Sequence, residues 1–167
     1  MQKEIITQLR TALDETLELL SGFTEADLNK IPSEGSWTAA QVCRHLEKSQ
    51  TGMDKLLHTP TEASGRSADE KAEGLREMFL NFETKMKSPD FILPEDRHYT
   101  HEELRVPLRD IRNKTLNALE TAHLEQFAPL PKGHPFYGLT KLEMVHFMAY
   151  HTTRHNHQLK KIRDAVK

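Results

Sequence analysis

The sequence predicts an all-α protein, a four-helix bundle with one extended crossover in the middle. Three observations carry that reading. Four long segments repeat apolar residues with a period near 3.6, and none alternates as a half-buried strand does. Thr38/Gln41, Thr100/Glu103 and Thr140/Glu143 each have the spacing of a capping box, which marks where a helix begins. One Pro-containing stretch in mid-chain is long enough to cross the end of a bundle.

The first segment, from about Lys3 to Leu20, places Ile5, Ile6, Leu9, Leu13, Thr16, Leu17 and Leu20 on one face, and Gly22 follows where a C-terminal cap is useful. The second opens at Thr38 with Trp37 and Val42 as a hydrophobic staple, and Val42, His45, Leu46, Ser49, Met53 and Leu56 share one arc. A loop from Thr59 to Ser67 leads to a third helix carrying Leu75, Met78, Phe79, Phe82 and Met86. The connection from Ser88 to about Tyr99 contains Pro89 and Pro94, and its triplet Phe91, Ile92 and Leu93 is expected to cover core. Tyr99 and Leu104 staple the Thr100 helix, which should stop ahead of Pro107 and restart there, burying Leu108, Ile111, Thr115, Leu116 and Leu119. A loop rich in Pro and Gly, from Ala128 to Leu139, precedes the last helix, where Leu139 and Met144 form the staple.

Residues 1–167 suit a single domain that can bury its core without disulfide or metal staples. The 23 Lys and Arg and 25 Asp and Glu are dispersed for a net charge of -2, so no basic stripe is available for phosphates and nucleic acid is disfavoured as a partner. Cys43 is the only cysteine, which excludes an internal disulfide and a cysteine-rich metal cluster and fits a reducing compartment. The opening MQKEIITQLR lacks the apolar core of a secretory signal, and no apolar run approaches the length of a membrane span. A cytoplasmic protein with no membrane partner is expected.

The chemistry is concentrated in YHTTRHNHQLKKI, where His151 and His155 are four apart and stack on one helix face. Ten histidines in this length give roughly half such a pair by chance, so spacing alone is weak. Orientation adds to it. At 100° per residue, Met144, Phe147, Met148, Gln158, Leu159 and Ile162 share the arc of both histidines, so both face the core. A single histidine on an apolar face is ordinarily a hydrogen-bonded core residue, but two on one turn must find partners for four ring nitrogens. His45, also on an inward arc, is placed to supply a third nitrogen from a facing helix. Three neutral imidazoles suit a divalent ion, zinc first, with nickel or iron also compatible. Gln158, one turn beyond His155, is placed to bond a ligand's outer nitrogen or a substrate, and His134 lies in a loop that can close one end of the cavity. His58, His98, His101, His123 and His146 belong to loops or outward faces, and His157 points away from the pair. Arg154 is expected at the rim with its head in water, and Met53, Met78, Met86, Met144 and Met148 as core filling.

With these residues assembled, the chain resembles the DinB-like superfamily, which includes the bacillithiol and mycothiol transferases. The resemblance spans most of the chain. It rests on His45 in WTAAQVCRHL, His151 and His155 in YHTTRHNHQLKKI, the downstream Gln158, and the HPFYG segment from His134 to Gly138. It implies a four-helix bundle with an up-up-down-down crossover, a divalent metal held by the three histidines, and often a homodimer. Members with known activities attach low-molecular-weight thiols to electrophiles or hydrolyse small molecules.

Three functions compete. A metal-dependent thiol S-transferase comes first, because a dication deprotonates a bound thiol. A metal-dependent hydrolase is the alternative; it wants a nearby base, and Glu47 lies on the face turned away from His45. A non-catalytic metal- or ligand-binding bundle is the third. Small-molecule partners and a two-fold homodimer are expected.

Overall fold

The structure is a computed structural model describing residues 2–167. Its elements are α1 (Gln2–Ser21), α2 (Glu25–Leu28), α3 (Ala39–Gln50), α4 (Met53–His58), α5 (Ala72–Leu80), a 3-10 turn (Asp90–Ile92), α6 (His101–Leu119) and α7 (Lys141–Val166). The protein is all-α: among the described residues, sheet-like pairing is limited to isolated bridges at Ala63 with Gln126 and Phe127 with Thr140. All three capping boxes form, with Thr38, Thr100 and Thr140 each accepting from the backbone three residues on.

Four rods make the bundle: α1, α3 continued by α4, α6 and α7. Side-chain pairs fix their directions. Asn156 donates to Ala12 O, and Lys160 pairs with Glu15 at 2.5 Å, so α1 and α7 run in parallel. Gln50 donates to Thr152 and Lys141 donates to Thr59 O, so α3 and α4 run against α7. α6 lies beside α3 and α4, with Leu104 and Leu108 in the same core cluster as Val42 and Leu46, and Leu116 and Leu119 in the same cluster as Met53 and Leu57, so α6 runs parallel to α3 and α4 and against α7. The order is up-down-down-up. The long central crossover is where the sequence puts it, but it joins two parallel helices; two up followed by two down would need long connections at other places.

The core has two parts. Ile5, Leu9, Leu13, Met53, Leu57, Leu116 and Met148 lie in the one at the start of α7, and Leu20, Val42, Leu46, Leu104, Leu159 and Ile162 in the one at its end. Between them runs a polar layer. Thr16 Oγ1 donates to Asn156 Oδ1 at 2.6 Å, and Gln50 Nε2 donates to Thr152 Oγ1 at 2.9 Å. The buried His45, His151 and His155 belong to this layer. At the start of α7, Glu143 is buried: desolvation opposes its charge, but a bidentate pair with Arg66 at 2.7 Å and backbone N–H groups of Thr140 and Lys71 hold its carboxyl below the usual range.

Four local expectations are corrected. The second helix does not run on to Leu56: it ends at Gln50, and Gly52 at φ 89° turns the chain before α4 starts, while the apolar period continues undisturbed across the break. The third helix ends at Leu80, leaving Phe82 and Met86 outside it. Phe91 and Leu93 are exposed, and Phe91 and Ile92 line the cleft described below, so the triplet does not cover core. Pro107 sits within an unbroken α6; the bond it removes would have ended on the carbonyl of the exposed Glu103, where water can replace it.

Gly52 generates a test. A Cβ there meets no atom within 4 Å, so Gly52→Ala carries only the cost of a left-handed alanine. That cost is about 1–2 kcal/mol, and urea unfolding should show the loss with metal binding preserved.

Candidate metal centre

The site is made where α3 and α7 face each other in the polar layer. His45 occupies the inward arc of α3, and His151 and His155 lie one turn apart on α7. Nε2 of His151 is 3.2 Å from Nε2 of His45 and 3.1 Å from Nε2 of His155, and one ring nitrogen from each histidine lies within 4.8 Å of the others. Nitrogens about 2.0–2.1 Å from a shared ion stand about 2.9 Å apart at a right angle and about 3.3 Å apart at the tetrahedral angle. The observed separations fall between those limits. The donor set therefore fits a divalent ion, which His45, His151 and His155 would hold at the wall of the cleft described below.

Tautomers support the same conclusion. His45 Nδ1 is 3.0 Å from Ile92 O, and a carbonyl can only accept, so Nδ1 carries the proton and Nε2 keeps its lone pair. His155 Nδ1 donates to Gln158 Oε1 at 2.8 Å and leaves its Nε2 in the same condition. His151 is positioned by packing, with Phe147 stacked at 5.1 Å and 28° and Phe79 edge-on at 5.8 Å. Trp37 lies against His45 at 5.1 Å.

Burial keeps all three rings neutral. Desolvation lowers His45, with the Ile92 carbonyl working against it. It lowers His155 to about 3, and lowers His151 well below its usual value, with neighbouring histidine and Arg154 charges acting in the same direction. Neutral imidazole is the form that binds metal.

The histidines form one wall of a cleft of about 1290 Å³. Phe79, Phe136, Phe147, Met144 and Leu130 make its apolar part, and no Asp or Glu lines it among the described residues. Glu47 pairs with Arg44 at 2.6 Å instead. His134 lies in the cleft wall, outside the converging nitrogens, and its Nδ1 accepts from Phe136 N at 3.0 Å. His157 also reaches the cleft and stacks on Phe82 at 4.2 Å. Cys43 is sealed in the core, where burial raises its thiol to about 12, so it supplies no nucleophile.

The structure departs from the sequence reading at several side chains. Arg154 does not hold its head in water: its guanidinium donates to the carbonyl oxygens of Asn81 at 2.8 Å, Phe79 and Thr84, fastening the crossover to α7. Met78 and Met86 are exposed at the cleft mouth while Met53, Met144 and Met148 fill core. His146 is half-buried and bonds Tyr150 Oη at 3.0 Å, because α7 is packed on several sides. His101 Nε2 is buried without a partner. The Ile92 carbonyl had no signal in the sequence, since any residue would carry it; Phe79 and Phe147 read simply as core.

A family model for the DinB superfamily matches residues 8–159, a span that holds all three histidines. The chain belongs to that superfamily. It is also 25% identical over 153 residues to the uncharacterized protein YuaE of Bacillus subtilis (strain 168), covering 91% of this chain and 93% of that protein. No solved structure matches it.

Two outcomes follow from the geometry. Gln158→Leu removes the acceptor that fixes the His155 tautomer, so metal affinity should fall by roughly 10- to 100-fold with helical content unchanged; competition with a chromophoric chelator measures it. The second concerns pH. Unfolded histidines take up protons near pH 6.5, whereas folded His155 waits until about 3. Between those values the unfolded chain binds more protons, so the stability of metal-free protein is present above about pH 6.5 and is lost as pH falls through that window. Urea midpoints at pH 7, 5.5 and 4.5 should decrease in that order, and less steeply in a His155→Gln variant.

Proposed function

We propose that this protein is a divalent-metal-dependent enzyme that transfers a low-molecular-weight thiol to an electrophilic small molecule, with zinc as the metal, working in the cytoplasm as a homodimer. Nickel and iron suit the same three nitrogens. The observation that carries the proposal is the convergence of three histidine Nε2 atoms on the wall of an open cleft that, among the described residues, is lined by no carboxylate. The ion, when bound at His45, His151 and His155, supplies a dication that ionises a thiol at neutral pH.

The chain's own residues do the rest. Ile92 O and Gln158 hold two of the imidazoles in the tautomer that faces the ion. Phe79, Phe136 and Phe147 give the inner cleft an apolar wall that keeps water from competing with the thiol. His134, with Nδ1 occupied by the Phe136 N–H, has its proton on Nε2 and can donate it in a hydrogen bond to a polar atom of the electrophile. Hydrolysis needs a base beside the water, and the cleft offers no Asp or Glu among the described residues; transfer of an already ionised thiol does not need one.

The test is a turnover assay on protein purified without a histidine tag, using cysteine as thiol and monobromobimane as electrophile, beside metal analysis. Turnover above the uncatalysed rate should disappear on chelation and return with zinc, and His151→Ala should lose both metal and turnover while keeping its helical spectrum. Retained turnover without metal would overturn the reading; metal binding with no turnover across a panel of thiols and electrophiles would make the protein a binding bundle. Sedimentation should give twice the 19.3 kDa chain mass, and a concentration-independent monomer would remove the dimer.

A further inference from the structure

We infer that the cleft selects small organic anions: molecules that carry a carboxylate, sulfonate or phosphate on an apolar body. The inference rests on reading this cleft as the substrate site and names the class of molecule it takes. Its basis is a charge imbalance. The chain as a whole has 25 acidic and 23 basic residues, and a lining of this size would by chance hold about five of the acidic ones. It holds none, but it does contain Lys48, Lys55, Lys85, Lys87, Lys161 and Arg154.

Two of these cations are already engaged. Lys48 pairs with Glu95 at 2.7 Å, and Arg154 is spent on the crossover carbonyls. Lys55, Lys85, Lys87 and Lys161 form no ion pair among the described residues. They are exposed, which puts them at the rim, whereas the buried or half-buried Phe79, Phe136 and Phe147 lie further in, beside the histidines. An ordinary solvated lysine face would have acidic residues interspersed, as on α1. Here one sign of charge surrounds an apolar interior, an arrangement that concentrates anions and receives their apolar portion.

Matched probes test this: 4-phenylbutanoate, its neutral amide and 4-phenylbutylamine, titrated by calorimetry and by fluorescence of Trp37, the only tryptophan, which lines the cleft. Zinc-loaded and metal-free protein are both used. The carboxylate should bind at least about tenfold more tightly than the amide, with the amine weakest, in both forms, and the preference should shrink several-fold between low and high salt as the charges are screened. A K85Q/K87Q/K161Q variant should lose the preference while keeping its metal content and its affinity for the amide. Equal affinities for the three probes, or no binding by any of them, would overturn the inference. So would a preference that survives in the triple variant, or one confined to zinc-loaded protein, which would assign it to the ion. Thiol transfer is read separately by turnover and survives any of these results.

Discussion

A histidine buried in a helical bundle has two ring nitrogens to satisfy, and satisfying one of them from outside the site decides what the other can do. In this chain the outer nitrogen of His45 is bonded by Ile92 O from the crossover, and that of His155 by Gln158 on the same helix. Both inner nitrogens then face His151 as lone pairs. Nε2 of His151 lies 3.2 and 3.1 Å from these two, so the three rings are arranged to share a cation. The readiness of this site for a metal ion is thus set by bonds that lie outside it.

The layer containing the histidines lies between two apolar clusters that carry most of the packing, one around Leu9 and Met148 and the other around Leu46 and Leu159. The remaining polar groups of the layer are paired among themselves, Thr16 with Asn156 and Gln50 with Thr152. Buried polar groups cost little when each has its partner and much when one is stranded.

What the sequence made legible was whatever repeats locally. The capping boxes at Thr38, Thr100 and Thr140 announce helix starts through three-residue spacing, and all three form. His151 and His155 are adjacent on one helix face for the same reason, and His45 joins them because both arcs point inward. Features that depend on single backbone torsions or on distant partners were not legible. Gly52 breaks the second helix without interrupting its apolar period. Phe82 and Met86 continue the period of α5 beyond its end, but they line the cleft mouth instead of a core. Arg154 lies where an amphipathic helix would put a solvated side chain, and only the folded crossover gives it carbonyls to grip. The direction of the helices likewise depends on which ends the crossover joins, which periodicity does not encode.

The crossover ties these threads together. It is anchored to α7 through Arg154, which grips the carbonyl oxygens of Phe79, Asn81 and Thr84, and to α3 through His45, which grips that of Ile92. All four acceptors are main-chain atoms, so these anchors do not depend on the side chains of Asn81, Thr84 and Ile92, although Phe79 and Ser88 also touch His151 and His45 through their side chains. The same stretch supplies Phe82, Lys85, Met86, Lys87 and Phe91 to the cleft. The arrangement separates two requirements that usually conflict: the histidines need a rigid support, and a substrate wall needs freedom to change with its ligand. Backbone anchoring meets the first and leaves the second open, so substitutions at Phe82, Lys85, Met86, Lys87 or Phe91 can alter what the cleft accepts without moving the nitrogens that define the site.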